Sequence, residues 1–188
     1  MMNTELEPTL TAAMRVVARY GIARTTMADI AREAGVSRQT LYDRFGDKDG
    51  VMAAVIRHMC DQMCGQVTEA WAGAPDLSAR LDAYIDIAVL PVFETLQTLP
   101  DAQDLVHGKG SAAAAATDEA VQRKRGLLAE MLRQTVPGLG GAQQRAEEIA
   151  EFFETATTAA KTTTADRAAL DRFLATLKSA TLALSTQR

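Results

Sequence analysis

Residues 21–48 read GIARTTMADIAREAGVSRQTLYDRFGDK, and this stretch decides the fold of the N-terminal part of the chain. Thr26 and Ser37 stand where two short segments start, and Gly35 separates the segments. Serine and threonine accept hydrogen bonds from the free N–H groups of a first helical turn, whereas glycine commonly follows the last residue of a helix. Asp29 stands three residues after Thr26, where a capping box places an acid. The pattern predicts two helices joined by a tight turn, which is a helix-turn-helix unit.

The second of these helices is predicted to have an inner face, anchored by Leu41 and Phe45, and an outer face that suits DNA. Arginine can bond to guanine and glutamine to adenine in the major groove, and threonine can bond or touch a thymine methyl group. Lys48 adds a cation at the positive start of a fourth helix, capped by Asp47, and this suits a phosphate. The residues predicted to contact DNA are Thr26, Ser37, Arg38, Gln39, Thr40, Tyr42, Arg44 and Lys48. Some of them would equally suit a solvent-exposed helix face.

The chain as a whole is acidic, with a formal net charge of −4 over 188 residues, but its charges are unevenly placed. Residues 11–50 hold seven basic and five acidic side chains, whereas residues 51–188 hold thirteen basic and seventeen acidic ones. A basic segment on an acidic body confines any attraction for nucleic acid to the N-terminal part of the chain.

The remainder of the chain is predicted to be helical as well. Apolar residues repeat at helical spacing, no strand-like alternation stands out, and the predicted fold class is therefore all-α. Pro91 is predicted to kink or end one helix, and residues 108–116 suit either a loop or an alanine-rich helix start. The fourth helix is predicted to end near Trp71, and the next helix to start near Leu77. A short helical piece is predicted from Pro100 to Gly108, and a longer helix from Thr117 to Thr135. Two long helices are predicted to finish the chain.

The segment from Gly21 to Lys48 resembles the N-terminal domain of TetR-family regulators. The shared pattern is a pair of threonines, an Ile-Ala pair, Ala-Gly-Val-Ser, then Leu-Tyr-x-x-Phe and a lysine. The resemblance implies a three-helix DNA-binding domain over residues 1–48 and a larger helical ligand-binding and dimerisation domain over residues 49–188. It also implies a homodimer whose last two helices pair with the second subunit, and a repressor that a small-molecule ligand releases. Two-fold symmetry then predicts a palindromic operator in double-stranded DNA.

Three residues depart from the family's usual pattern. Arg44 replaces the more usual His or Tyr, and it can still reach a phosphate. Asp43 puts a negative charge on the DNA-reading helix, where it either accepts a hydrogen bond from a cytosine amino group or points sideways. Gly50 is predicted to weaken the start of the fourth helix and to loosen the hinge between the two domains.

The body offers only general candidates for a small-molecule site. Aromatic side chains, methionines and one histidine could line an apolar cavity, although each also suits an ordinary core position. The residues predicted as ligand contacts are Trp71, Tyr84, Phe93, His107, Met131 and Phe152, with Met63 as a further candidate. The identity of such an effector is not readable from the sequence.

Other functional classes find little support. Cys60 and Cys64 are the only cysteines and stand one helical turn apart, where they suit buried apolar positions better than a metal site or a disulfide. Their small number fits a cytoplasmic protein. The sequence has no glycine-rich phosphate loop, metal-spaced histidine set or nucleophile elbow, so neither an enzyme nor a bound cofactor is expected. No run of about 18 apolar residues suggests a membrane span.

Two other interpretations are compatible with the sequence. The first is a DNA-binding protein that has no small-molecule effector. The second is a helical enzyme or ligand-binding protein in which the N-terminal helices have only a structural role.

The last two helices favour a dimer, because their many alanines and threonines would let helices of two subunits approach closely.

Overall fold

The computed structural model describes residues 6–98, 112–139 and 141–186, and all regular structure in these ranges is helical. The all-α prediction is confirmed. The elements are α1 Glu7–Tyr20, α2 Met27–Ala34, α3 Arg38–Phe45, α4 Lys48–Ala72, α5 Leu77–Tyr84, a π-helical turn Ile85–Val89, α6 Leu90–Thr98, α7 Ala112–Thr135, α8 Gln143–Thr163 and α9 Arg167–Thr186.

The chain divides into two compact units. The first consists of Met1–Asp61 and Thr98–Ala120, and the second consists of Gln62–Gln97 and Val121–Arg188. The boundaries of the units therefore fall within α4 and α7 and before Thr98, the last residue of α6. The predicted functional division of the chain after residue 48 stays a prediction.

The core of the first unit is small and draws on each of its helices. Ile30 of α2, Leu41 of α3 and Val51 of α4 have no exposed surface, and Ala13 of α1 is equally buried. Full burial of an aliphatic side chain of this size contributes about 1.5–3 kcal/mol. The predicted inward position of Leu41 is confirmed, and Phe45 is half-buried against the same cluster. This core fixes which face of α3 is turned outward.

The second unit has a larger core, formed by α5, the π-helical turn and the three long helices that follow in the chain. Tyr84 lies at its centre, with its ring 6.4 Å from that of Trp71 and 5.8 Å from that of Phe153. The indole N–H of Trp71 donates to the carbonyl of Arg80 at 2.8 Å, so the polar atom of this buried ring is satisfied.

Pro91 neither ends its helix nor follows an ordinary α-helical turn. A π-helical turn, Ile85–Val89, immediately precedes α6, and α6 continues past Pro91 to Thr98. A proline lacks the N–H that would bond to the residue four positions earlier, which is Ile87, and its ring crowds that residue's carbonyl. The wider π-helical turn places this mismatch where the regular bonding pattern is already altered.

The alanine-rich segment is a helix start, because α7 begins at Ala112 rather than at the predicted Thr117. Asp49 of α4 explains this start, since its carboxylate accepts the N–H of Ala112 at 2.6 Å and that of Ala113 at 3.4 Å. A carboxylate from another helix therefore caps α7. The short piece predicted from Pro100 to Gly108 lies outside the described residues.

Both cysteines are buried and are not joined in a disulfide, as predicted, and the thiol of Cys60 donates to the carbonyl of Ala120 at 3.8 Å. Within the described ranges no group of three or more histidine, cysteine, aspartate or glutamate side chains is arranged to hold a metal ion. None of the described helices is long and apolar enough to cross a membrane.

Gly50 allows the start of α4 to lie close to the end of α3. A Cβ atom at this position would stand 1.9 Å from the carbonyl oxygen of Phe45 and 3.1 Å from its carbon. Both neighbours are backbone atoms, which cannot move aside as the end of a flexible side chain would. The residue that lowers helix propensity is therefore the one that this junction requires.

Gly50→Ala should destabilise the protein, although alanine is the better helix former. Relieving the overlap with Phe45 requires a backbone shift, and overpacking of this kind costs about 1–3 kcal/mol. Urea unfolding would measure the change. Gly65→Ala is the matched control in the same helix, because nothing lies within 4 Å of the added Cβ, and it should leave stability unchanged or raised by up to about 1 kcal/mol. Equal stabilities for the two variants would contradict the tight junction.

Candidate nucleic-acid interface

The turn between α2 and α3 is short because Gly35 adopts a left-handed backbone conformation, with φ 68° and ψ 25°. Residues that carry a Cβ pay about 1–2 kcal/mol for this conformation. The N–H of Val36 then donates to the carbonyl of Ala31 at 3.0 Å, and this bond closes α2. Only three residues, 35–37, therefore separate the end of α2 from the start of α3, and this is the tight turn that the sequence pattern predicted.

Thr26 caps α2 through the predicted capping box. Its hydroxyl oxygen accepts the N–H of Asp29 at 3.2 Å, and its hydroxyl donates to the Asp29 carboxylate at 2.6 Å. This hydrogen bond holds the pKa of Asp29 below its ordinary value, with a smaller effect from the adjacent Arg32. The single hydroxyl proton of Thr26 is therefore engaged, and a phosphate contact would have to displace it from Asp29.

Ser37 caps α3 in the same way. Its hydroxyl oxygen accepts the N–H of Thr40 at 3.0 Å and is hydrogen-bonded to the Thr40 hydroxyl at 2.8 Å. Both residues thus order the first turn of α3, the turn from which Arg38 and Gln39 project. The predicted N-cap is confirmed.

The outer face of α3 is exposed and carries two cations. Arg38, Gln39, Tyr42 and Arg44 are all exposed, and Tyr42 keeps 48% of its surface accessible. Among the described residues, neither Arg38 nor Arg44 forms an ion pair or a side-chain hydrogen bond. Their guanidinium groups therefore remain available to a polyanion.

Gln39 has a partner on its own helix. Its amide nitrogen donates to the carboxylate of Asp43 at 2.7 Å, which leaves its carbonyl oxygen as an accessible acceptor. Of the two alternatives predicted for Asp43, this geometry matches the one in which its side chain points sideways along the helix. The four-residue spacing of the two side chains was the signal available in the sequence.

Lys48 is only half-exposed, because its ammonium group donates to the carbonyl of Ile22 at 3.2 Å. The contact joins the start of α4 to the connection between α1 and α2. An ammonium group has three protons, so two remain for a phosphate. The sequence predicted the phosphate role but not this internal bond, whose partners are 26 residues apart.

The residues predicted to line a ligand site lie in different surroundings. Trp71, Tyr84, Phe93 and Met131 are buried in the core of the second unit, and Met63 packs against it half-buried. Phe152 is on the surface of α8 with 43% of its area exposed. His107 lies outside the described residues. Their role as ligand contacts stays a prediction.

A buried group of charged side chains in the second unit escaped the sequence analysis. Glu154 of α8 has no exposed surface, and its carboxylate accepts from the Tyr84 hydroxyl at 2.5 Å and from the Lys124 ammonium group of α7. The hydroxyl of Thr158 donates to it at 3.1 Å. Burial alone would raise the pKa of Glu154, but the charges of Lys124 and Lys161 and these hydrogen bonds bring it below its ordinary value.

Lys161 belongs to the same group, which we call the Glu154 cluster: Tyr84, Lys124, Glu154, Thr158 and Lys161. Lys161 lies seven residues after Glu154 on one face of α8 and keeps only 6% of its surface exposed. Burial, and next the charge of Lys124, lower the pKa of Lys161 to about 8, against the opposing effect of Glu154. The spacing of Glu154, Thr158 and Lys161 was visible in the sequence, but the partners on other helices were not.

Comparison with known proteins identifies the N-terminal domain. Residues 10–55 match the family described as bacterial regulatory proteins, tetR family. An uncharacterised HTH-type transcriptional regulator of Mycobacterium tuberculosis is 47% identical over 53 residues, which are 28% of each chain. The HTH-type transcriptional regulator BetI of Burkholderia mallei is 35% identical over 75 residues, 39% of this chain and 38% of that protein. The chain thus matches these relatives over well under half of their length.

Solved structures resemble the chain over nearly all of its length. A transcriptional regulator from Cytophaga hutchinsonii superimposes with a TM-score of 0.71 at 19% identity, covering 97% of both chains. A TetR transcription regulator from Haloarcula marismortui gives a TM-score of 0.67 at 18% identity, covering 96% of both chains. At such low identity these structures establish the fold alone.

The geometry of α2, the Gly35 turn and α3 defines a helix-turn-helix protein. By the sequence match over residues 10–55, this helix-turn-helix domain is similar to that of the tetR family of bacterial regulatory proteins. The resemblance noted from the segment Gly21–Lys48 is confirmed.

The buried position of Lys161 predicts an unusual dependence of stability on alkaline pH. Its pKa is about 8 in the folded chain against 10.5 for an ordinary lysine, so between these values the unfolded chain holds a proton that the folded chain has lost. Stability should therefore rise with pH across this window, by at most roughly 3 kcal/mol.

Urea unfolding below pH 8 and near pH 10.5 measures this rise. Lys161→Met should abolish it, whereas Lys178→Met, which removes a lysine paired with Asp82 at 2.6 Å in the same unit, should retain it. An equal rise in the Lys161→Met variant would show that another group titrates.

Proposed function

We propose that this protein is a homodimeric transcriptional regulator that binds a palindromic operator through α3 and is released from it by a small-molecule effector. The observation that carries the proposal is the outer face of α3, where Arg38 and Arg44 are exposed and have no ionic partner among the described residues. Ser37 caps the start of this helix. A cytoplasmic location and the absence of enzymatic activity belong to the same proposal.

In this proposal α3 lies in the major groove with its first turn against the base edges. Arg38 and Gln39 are the base-reading residues, because they project from that turn and offer donors and an acceptor. Arg44 at the end of α3 and Lys48 at the start of α4 face the phosphates. Ser37 and Thr40 order the turn, and Thr26 orders the start of α2, so these three act through the backbone that they cap.

The surface of α8 and α9 supports the dimer. Phe152 and Phe173 keep 43% and 41% of their surfaces exposed, and large apolar side chains in water are more stable when a partner covers them. The exposed side chains of α9 also include several small ones, which let a second helix approach closely. They are Ala168, Ala175, Thr176, Ser179 and Ala183. Two copies related by two-fold symmetry present two α3 helices, and a palindromic site matches that symmetry.

Selection of fragmented genomic DNA by the purified protein tests the DNA-binding part of the proposal. At physiological salt with excess competitor DNA, we expect enrichment of a palindrome, with log affinity falling linearly as log salt rises. Sedimentation of the complex gives the number of chains per site. A folded protein that enriches no sequence would overturn the regulator assignment in favour of a purely structural role for the N-terminal helices.

Gln39→Ala and Lys48→Ala should separate base reading from phosphate binding on the selected operator. Loss of the Gln39 amide should relax discrimination at one base pair per half-site by about 1–3 kcal/mol. Loss of the Lys48 ammonium group should weaken binding to all sequences similarly and reduce the salt slope by about 1 per subunit.

Electrophoretic mobility shifts on a set of singly substituted operators would measure both effects. Arg57→Ala is the control for charge removal, since Arg57 is already paired with Glu119 at 2.6 Å. Thermal melting of Lys48→Ala shows how much of its effect comes from the lost bond to Ile22. Unchanged specificity in Gln39→Ala would mean that another face of the protein reads the bases.

A further inference from the structure

The Glu154 cluster holds one positive charge too many for a buried site. Lys124 and Lys161 contribute two cations, and Glu154 contributes the single carboxylate that the described residues place with them. Removing a charge from water is costly unless an opposite charge and hydrogen bonds compensate for it. The cluster as it stands compensates only one of its two cations.

Lys161 is the less well compensated of the two cations, because burial and the charge of Lys124 outweigh the attraction of Glu154. Glu154 accepts hydrogen bonds from Lys124, Tyr84 and Thr158. In the described parts of the chain no oxygen atom accepts a hydrogen bond from Lys161; its ammonium group lies beside that of Lys124, a like charge, and it is 6% exposed. A buried ammonium group whose nearest polar neighbour is a second cation therefore points to an acceptor from outside the folded chain.

We propose that Lys161 binds the carboxylate of a small, otherwise apolar acid, and that this acid is the effector. The inference rests on the proposed ligand-responsive function and names the chemical class of the ligand. One carboxylate brings one negative charge, which balances the cluster, whereas a doubly charged phosphate group would leave it negative.

The surroundings of the cluster suit the apolar remainder of such an acid. Phe153 and Ala160 flank Glu154 and Lys161 in sequence and are buried in the core of the second unit. The ring of Tyr84 packs edge-on against Phe153 at 5.8 Å while its hydroxyl reaches Glu154. A ligand with a charged end and an apolar body would meet both kinds of surface here.

The helix that carries Tyr84 offers a way for the site to respond. The π-helical turn Ile85–Val89 follows Tyr84 directly and packs against α8, which bears Glu154 and Lys161. Such turns occur frequently at functional sites. A carboxylate on Lys161 changes the charge facing Glu154 and so biases the position of Tyr84.

Binding measurements on matched acids and amides test the inference. The probes are butyrate, octanoate, dodecanoate and phenylacetate, each compared with its primary amide, with inorganic phosphate as a separate anion. Isothermal titration of the full chain at neutral pH should give at least one acid that binds about tenfold or more tightly than its amide, because a charge-assisted hydrogen bond is lost in the amide. Phosphate should bind more weakly than that acid.

Three variants assign the preference to Lys161. Lys161→Met should bind the acid and its amide with affinities within about twofold, Lys161→Arg should restore the preference for the acid, and Lys178→Met should keep it unchanged. The proposal is overturned if no acid binds, if amides bind equally well, if Lys161→Met keeps the preference, or if phosphate binds best.

DNA binding without any probe separates this inference from the proposed function. Wild-type chain that selects a palindrome but shows no preference for acids retains the regulator assignment and loses the carboxylate site. Chain that prefers an acid through Lys161 but selects no DNA retains the site and loses the regulator. Acid that weakens operator binding by the wild type, but not by Lys161→Met, supports both.

Discussion

The hydrogen bond from the Val36 N–H to the Ala31 carbonyl is the constraint on which the N-terminal unit depends. It forms because Gly35 takes a left-handed conformation, and it determines where α2 ends and α3 starts. With that start fixed, Leu41 falls into the core at helical spacing. The outer face of α3 is fixed at the same time, because helical geometry turns the side chains opposite Leu41 away from the core.

Capping residues fix the starts of α2 and α3. Thr26 and Ser37 each satisfy a backbone N–H that the helix itself leaves free, and such a cap stabilises a protein by about 1 kcal/mol. For a helix of eight residues this is a large share of its stability, because helices this short do not persist in water on their own. The order of α3 therefore comes from its cap and its core contact together.

Local sequence signals predicted most of this unit, and distance along the chain explains what they missed. The capping box, the turn and the inward Leu41 depend on residues within a few positions of one another, so the stretch 21–48 contains them. The bond from Lys48 to Ile22 and the cap that Asp49 gives to Ala112 join residues 26 and 63 positions apart. No periodicity encodes such pairs. The close approach of the Phe45 carbonyl to Gly50 was missed for the same reason.

The body was harder to predict because its polar core needs three helices at once. Glu154, Thr158 and Lys161 lie at helical spacing and form a polar face in the sequence. A polar helix face is normally exposed to solvent. Only the fold brings Tyr84 and Lys124, 70 and 30 residues away, onto that face and encloses it. The interpretation of Tyr84 as an ordinary core residue was correct about its burial, but it did not include the hydrogen bond to Glu154.

The two units hold an excess positive charge in opposite surroundings. On α3, Arg38 and Arg44 are exposed to water, which solvates their guanidinium groups, so no desolvation free energy is lost. The surface can therefore remain accessible to a polyanion. In the Glu154 cluster the surrounding core removes that solvation, and the result is the lowered pKa of Lys161. A packed apolar side chain at that position would usually be at least as stable, so stability alone does not account for a buried lysine. Burial therefore makes Lys161 sensitive to the arrival of a single negative charge in a way that Arg38, with water as its partner, is not.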